Sequence, residues 1–219
     1  MFPRGESGRI LAWSIGSTGH IIAALTVGLV VSAGSPQVQR YPGDLGALGF
    51  LALPPLTGGG DFGFKDQQVA LGWIKRNIAA FGGDPDNITI GGESAGGWSV
   101  CAHLVAPGSR GLFNKAIIES GACDSKPAAQ AEAESVEFAR KLGCADAAPM
   151  ASCLREKPVA DLLNAQAPYY LLTDGTPVLP TNLLTAVNAG DYARVPILGS
   201  TRDELRSFFQ SSVGWTEAQ

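Results

Sequence analysis

"NITIGGESAGGWSV", residues 87–100, joins a strand pattern to a helix pattern through one serine flanked by glycines. Ile88-Thr89-Ile90 has the alternation of a short strand, and Ala95 to Val105 reads as a helix stopped by Pro107-Gly108. Between them lies Gly92-Glu93-Ser94-Ala95-Gly96, a G-x-S-x-G pattern. That pattern describes a strand turning sharply into a helix, which leaves the serine strained with its Oγ exposed above the sheet. Small residues on both sides let the backbones pass closely. The helix start then points free N–H groups and a positive dipole end at the serine, so the Ala95 N–H is a ready donor to an oxyanion. A glycine-rich turn that happens to hold a serine is the competing reading, and the strand and helix on either side weigh against it.

The flanks extend the same alternation. Upstream, "LGALGFLALP" (45–54) is an apolar run halted by Pro54-Pro55, and "LTGGGDFGF" (56–64) is a glycine-rich loop. "KDQQVALGWIKRNIAAFGG" (65–83) reads as a helix, with Val69, Trp73, Asn77 and Phe81 in one row and Ala70, Ile74 and Ile78 in the next. Gly82-Gly83 supplies its stop. Downstream, "KAIIESG" (115–121) and "RVPILGS" (194–200) read as strands, and "AAQAEAESVEFARKLGC" (128–144) and "PVADLLNA" (158–165) as helices. Strands alternating with helices, with little hairpin signal, indicate an α/β fold with a largely parallel sheet.

Bulk properties narrow the function classes. A chain of 219 residues can bury a substantial core, and a net charge of −4 offers no basic patch for nucleic acid. The longest apolar run, "HIIAALTVGLVVSAG" (20–34), is short for a membrane span and carries His, Thr and Ser. It has two readings: a buried strand, or the h-region of a secretory signal with Arg4 and Arg9 before it and Val31-Ser32-Ala33 as a cleavage site. Cys101, Cys123, Cys144 and Cys153 lack zinc-site spacing, so no metal is expected. Two disulfides would suit an exported protein and reduced thiols a cytosolic one.

"FGGDPDNITIGGESAGG" (81–97) resembles the active-serine signature of the type B carboxylesterase/lipase family, the α/β-hydrolases that include carboxylesterases, cholinesterases and fungal lipases. The resemblance extends through "LGALGFLALP", "DFGFKDQQVALGWIKRNIAAFGG" (61–83), "SVCAHLVAPGSRGLFNKAIIESGAC" (99–123), "DGTPVLP" (174–180) and "VPILGSTRDE" (195–204). It therefore covers the chain from about residue 45 onward, which gives a partial hydrolase domain over 42–219 behind an unmatched leader, 1–41. It implies an α/β-hydrolase fold incomplete at both ends, a small-molecule or lipid ester as substrate, and no cofactor. Ser94 is then the nucleophile and Glu204 the triad acid, with Asp203 its rival. Ser120 matches a serine that hydrogen-bonds the acid, and Glu93 reads as a buried, paired structural carboxylate rather than a catalyst. Cys144 and Cys153 match a family disulfide loop, whereas the pairing of Cys101 with Cys123 stays open. Together these readings favour a secreted or extracytoplasmic setting over a cytoplasmic one, and leave the oligomeric state undetermined.

Two parts of the machinery have no counterpart. A serine hydroxyl needs a base, and the histidines are His20 and His103 alone. His103 lies nine residues past Ser94 on the same expected helix, about 13 Å along its axis and out of reach. His20 precedes the serine, whereas triads of this fold run serine, acid, histidine, and no histidine follows Glu204. The HGG-type oxyanion loop of the family is absent too, since Gly58-Gly59-Gly60 comes too late and lacks the histidine. The expectation is the middle of a larger serine esterase, its first forty residues arising from a mis-set start or reading frame. The alternatives are a catalytically impaired fragment and a non-catalytic binding member of the same family.

Overall fold

The computed structural model describes residues 21–24, 46–53, 60–146, 150–167 and 172–199. Four strands form one parallel sheet in the order β1-β2-β3-β6: β1 (Ile21–Ala24), β2 (Ile88–Glu93), β3 (Lys115–Glu119) and β6 (Ile197–Gly199). The register sets Ile21 beside Ile88, Glu93 beside Glu119 and Ala116 beside Ile197. Residues 21–24 thus take the strand alternative within the apolar run 20–34. A second, two-stranded parallel sheet pairs β4 (Lys126–Pro127) with β5 (Thr173–Asp174). His20, Gly58, Gly59 and the segment from 200 onward, Asp203 and Glu204 included, lie outside the described residues.

The first core cluster joins the sheet to two helices, α2 (Phe62–Asn77) and α3 (Ala95–Val105). Ile88 and Ile90 of β2, two apart and so on one face of the strand, are fully buried in a cluster with Leu71, Ile74, Ile78, Val100 and Leu104. Each such side chain contributes about 1.5–3 kcal/mol of transfer free energy. Of the two rows on α2, the one holding Ile74 and Ile78 faces the core. Val69 and Trp73 face outward at 68 % and 41 % exposure, and Phe81 beyond them at 63 %. The helix begins three residues before Lys65, inside the glycine-rich stretch, and tightens into a 3-10 turn at Ile78–Phe81 that ends on Gly82 at φ 80°.

The remaining helices build two further clusters. The described part of the apolar run 45–54 is not one element: it forms a single turn, α1 (Ala47–Phe50), followed by Leu51 in extended backbone and by irregular backbone through residue 53. Phe50, Phe64, Ala102, Leu179 and Leu183 pack together beneath α7 (Leu183–Ala189). Ala47, Leu53, Phe138, Leu154 and Leu162 join α1 to α4 (Ala128–Lys141), α5 (Met150–Arg155) and α6 (Val159–Ala165). α7 is begun by Asn182, whose Oδ1 accepts from Thr185 N–H at 3.2 Å, and ended by Gly190 at φ 74°.

Candidate active site

β2 ends at Glu93, and Ala95 already opens α3, so a single residue makes the whole turn. That residue, Ser94, sits at φ 54° and ψ −118°, a conformation L side chains rarely adopt, and its side chain is exposed. Such a geometry costs about 1–3 kcal/mol and persists only where the surroundings impose it. They do so here. The Ser94 N–H donates to the Glu119 carbonyl at 2.9 Å, and the Ser94 carbonyl accepts from Trp98 N–H at 3.1 Å. A Cβ on Gly92 would lie 2.3 Å from the Gly96 carbonyl carbon, so glycine at position 92 is a steric requirement of the turn. α-Helical geometry leaves the Ala95, Gly96 and Gly97 N–H groups without intrahelical acceptors, on the side where Ser94 stands.

β3 ends beside this turn in the same way. Ser120 follows its last residue at φ 49° and is half-buried, so two strained serines close neighbouring parallel strands. The turns touch through Gly97 and Gly121: a Cβ on Gly121 would come within 2.6 Å of Gly97 Cα. Sequence reasoning missed this contact, although a glycine doublet at 96–97 and a Ser-Gly step at 120–121 carried the signal. The Cys101–Cys123 disulfide, with its Cα atoms 5.5 Å apart, ties α3 to the segment leaving β3. A second disulfide joins Cys144 to Cys153, Cα atoms 5.7 Å apart. The structure thus answers the open pairing of Cys101 and Cys123.

Glu93 departs from expectation. Its side chain is exposed rather than buried, and among the described residues its carboxylate makes no salt bridge. It sits at the last position of β2, on the sheet's C-terminal edge, the one exposed position of that strand. Glu204 lies outside the described residues, so its distance from Ser94 and from Ser120 does not enter the geometry.

His103 is fully buried on α3 and held from both ring nitrogens. Nδ1 lies 2.8 Å from Ser109 Oγ, and Nε2 lies 3.1 Å from Gln67 Oε1. Because Gln67 Oε1 can only accept, the ring is a donor at Nε2, and Ser109 donates to Nδ1. Gln67 Nε2 in turn donates to Ser99 Oγ at 3.4 Å, and Ser99 donates to the Ala95 carbonyl at 3.1 Å. Burial pushes the His103 pKa down to about 3, and Phe64 packs over the ring at 4.4 Å between centroids. A neutral imidazole with both nitrogens occupied is a structural group. It staples α2 to the helix that carries the turn.

A second buried titratable group was not foreseen. Asp61, just before α2, is fully buried, and its Oδ1 accepts from Thr173 N–H at 2.9 Å. Burial pushes its pKa up to about 7 despite that hydrogen bond and Lys65, with Asp174 adding to the rise. Asp61 Oδ2 and Thr173 Oγ1 are buried without a partner among the described residues. No group of three or more His, Cys, Asp and Glu among the described residues could hold a metal ion.

The sequence profile of the carboxylesterase family matches residues 44–214. A pyrethroid hydrolase of Rattus norvegicus is 37 % identical over 204 residues, which are 89 % of this chain and 34 % of that protein. The para-nitrobenzyl esterase of Bacillus subtilis is 36 % identical over 178 residues, 75 % of this chain and 36 % of its own length. A solved para-nitrobenzyl (PNB) esterase superposes with a TM-score of 0.66 at 34 % identity, covering 76 % of this chain and 37 % of the other. The chain thus spans about a third of the length of these relatives. Its parallel sheet with flanking helices is part of an α/β-hydrolase fold. Turn, sheet and relatives agree, and the chain belongs to the carboxylesterase family.

Proposed function

We propose that this chain carries the nucleophile of a serine carboxylic ester hydrolase, with Ser94 as the attacking group. The observation that supports it most is the strained, exposed Ser94 set alone between β2 and the N-terminus of α3. Ser94 Oγ attacks the ester carbonyl carbon while its proton passes to a histidine base. The tetrahedral oxyanion is held by the Ala95 N–H and the positive end of α3. Collapse expels the alcohol, which takes the proton, and leaves an acyl group on Ser94. Water then repeats the sequence to release the carboxylic acid and regenerate the serine.

In this reading Glu204 orients the base and Ser120 hydrogen-bonds Glu204. The base is neither His103, whose nitrogens are both engaged, nor any other described residue. The substrate is a small-molecule or lipid ester. The two disulfides support an oxidising, extracytoplasmic setting. No described helix is long and apolar enough to cross a membrane.

The test is p-nitrophenyl butyrate hydrolysis by the chain and by the chain extended with downstream sequence, each beside Ser94→Ala. The extended protein should lose at least about a thousandfold in kcat/KM on Ser94→Ala. Unchanged turnover in that variant would overturn the assignment.

A further inference from the structure

A cavity of about 460 Å³ opens on the side of the molecule built from α1, α4, α5 and α6. None of its lining residues comes from β2, α3 or β3, the elements that make the turn at Ser94. The volume is that of a small-molecule site, within the usual range of about 300–1,000 Å³. Its floor is apolar, with Leu53, Phe138, Leu154 and Leu162 buried beneath it. The apolar surface continues onto the rim, where Leu48 and Val159 line the cavity while remaining 46 % and 57 % exposed.

The polar contribution is of one sign. Among the described residues, Arg155, the last residue of α5, and Lys157 are the only charged side chains in the lining. Neither is in a salt bridge among the described residues. The acids closest in sequence, Glu156 and Asp161, are exposed and do not line the cavity. An apolar lining that includes two cations suits a ligand with a hydrocarbon chain and one anionic head, and the planar Arg155 fork matches a carboxylate. The Cys144–Cys153 disulfide fixes α5 against the segment that leaves α4, so the wall is braced covalently.

From this juxtaposition we infer that the α1–α4–α5–α6 cavity is a binding site for a fatty-acid carboxylate. The alkyl chain lies on Phe138, Leu154 and Leu162, and the carboxylate meets Arg155 and Lys157. The site does not depend on Ser94, so its test is independent of ester hydrolysis and runs equally well on Ser94→Ala.

The experiment titrates the chain with dodecanoate below its micelle concentration by isothermal calorimetry, beside dodecyltrimethylammonium and acetate. Saturable one-to-one binding of dodecanoate is expected, at least tenfold tighter than the cationic amphiphile, with none detectable for acetate. Arg155→Ser combined with Lys157→Ser should weaken dodecanoate at least tenfold, with far-UV circular dichroism unchanged. A diazirine-bearing fatty acid, photolysed on the unaltered chain, should label peptides within residues 150–165, which needs no variant to fold. Absence of saturable binding, equal binding of the two amphiphiles, full retention in the double variant, or label placed elsewhere would each overturn the site.

Discussion

Ser94 and Ser120 hold φ angles of 54° and 49° for which only glycine carries no penalty. Replacing the first tests the strain directly. Ser94→Gly should be more stable than Ser94→Ala by about 1 kcal/mol in urea unfolding, since both remove the hydroxyl and only one relaxes the backbone. Gly92→Ala should cost about 3 kcal/mol or more, because its Cβ would meet the Gly96 backbone at 2.3 Å and nothing flexible can yield. Asp61 yields a prediction in pH. Its folded pKa of about 7 lies above the ordinary carboxylate value of 3.8, so between these pH values the folded chain keeps a proton that the unfolded chain has released. The contribution is full below the lower value and lost as pH rises through the upper one, a change of about 4 kcal/mol as an order of magnitude. Asp61→Asn keeps an acceptor for Thr173 N–H without the charge. Its unfolding free energy relative to the parent should match near pH 4 and exceed it progressively toward pH 8, read from urea titrations across that range. The sequence made Ser94 legible because a one-residue turn demands glycines at fixed offsets. It hid Asp61, whose pKa is raised by burial against the hydrogen bond from Thr173, and burial is set by packing with segments more than a hundred positions away.

Among the elements, α3 has the most to hold together, since Gly96, Gly97 and every residue from Ser99 to Val105 are buried. His103 is its polar fastening, and its depressed pKa has the opposite sign to that of Asp61. The neutral ring is needed, so this contribution is full above about pH 6.5 and lost as pH falls toward 3. Ser109→Ala should leave Nδ1 buried without its donor and cost about 1–3 kcal/mol in urea unfolding, a test that separates a stapling histidine from an idle one. The bounds of α3 were readable because a glycine-flanked serine begins it and Pro107 follows it. α5 and α7, of six and seven residues, were not, although α6, as short as α7, was read from its apolar pattern. For α7 the cap at Asn182 and the glycine at 190 were the available signals. On α2 the periodicity was plain but left two apolar rows, and only packing against β2 decides that Ile74 and Ile78 go inward and Trp73 outward.

At the scale of the molecule, two covalent links brace the regions on which function is argued. Closing loops of 22 and 9 residues' separation contributes about 3–3.5 and 2.5–3 kcal/mol in the chain-entropy account. Unfolding in urea with and without dithiothreitol should show a loss of that order, and Cys123→Ser alone should reproduce the larger part. The α/β architecture was legible because strand and helix periods alternate along the chain. The completeness of the site was not, because a triad is assembled from distant segments, and Glu204 lies outside the described residues. What unites the three scales is a single proposition, that the backbone turn at position 94 exists to present a reactive hydroxyl. The most direct measurement is the site of covalent capture: the chain extended with its downstream sequence, treated with a fluorophosphonate and mapped by tandem mass spectrometry. One adduct per chain on Ser94 is the predicted result; an adduct on another residue, with Ser94 unmodified, would contradict it.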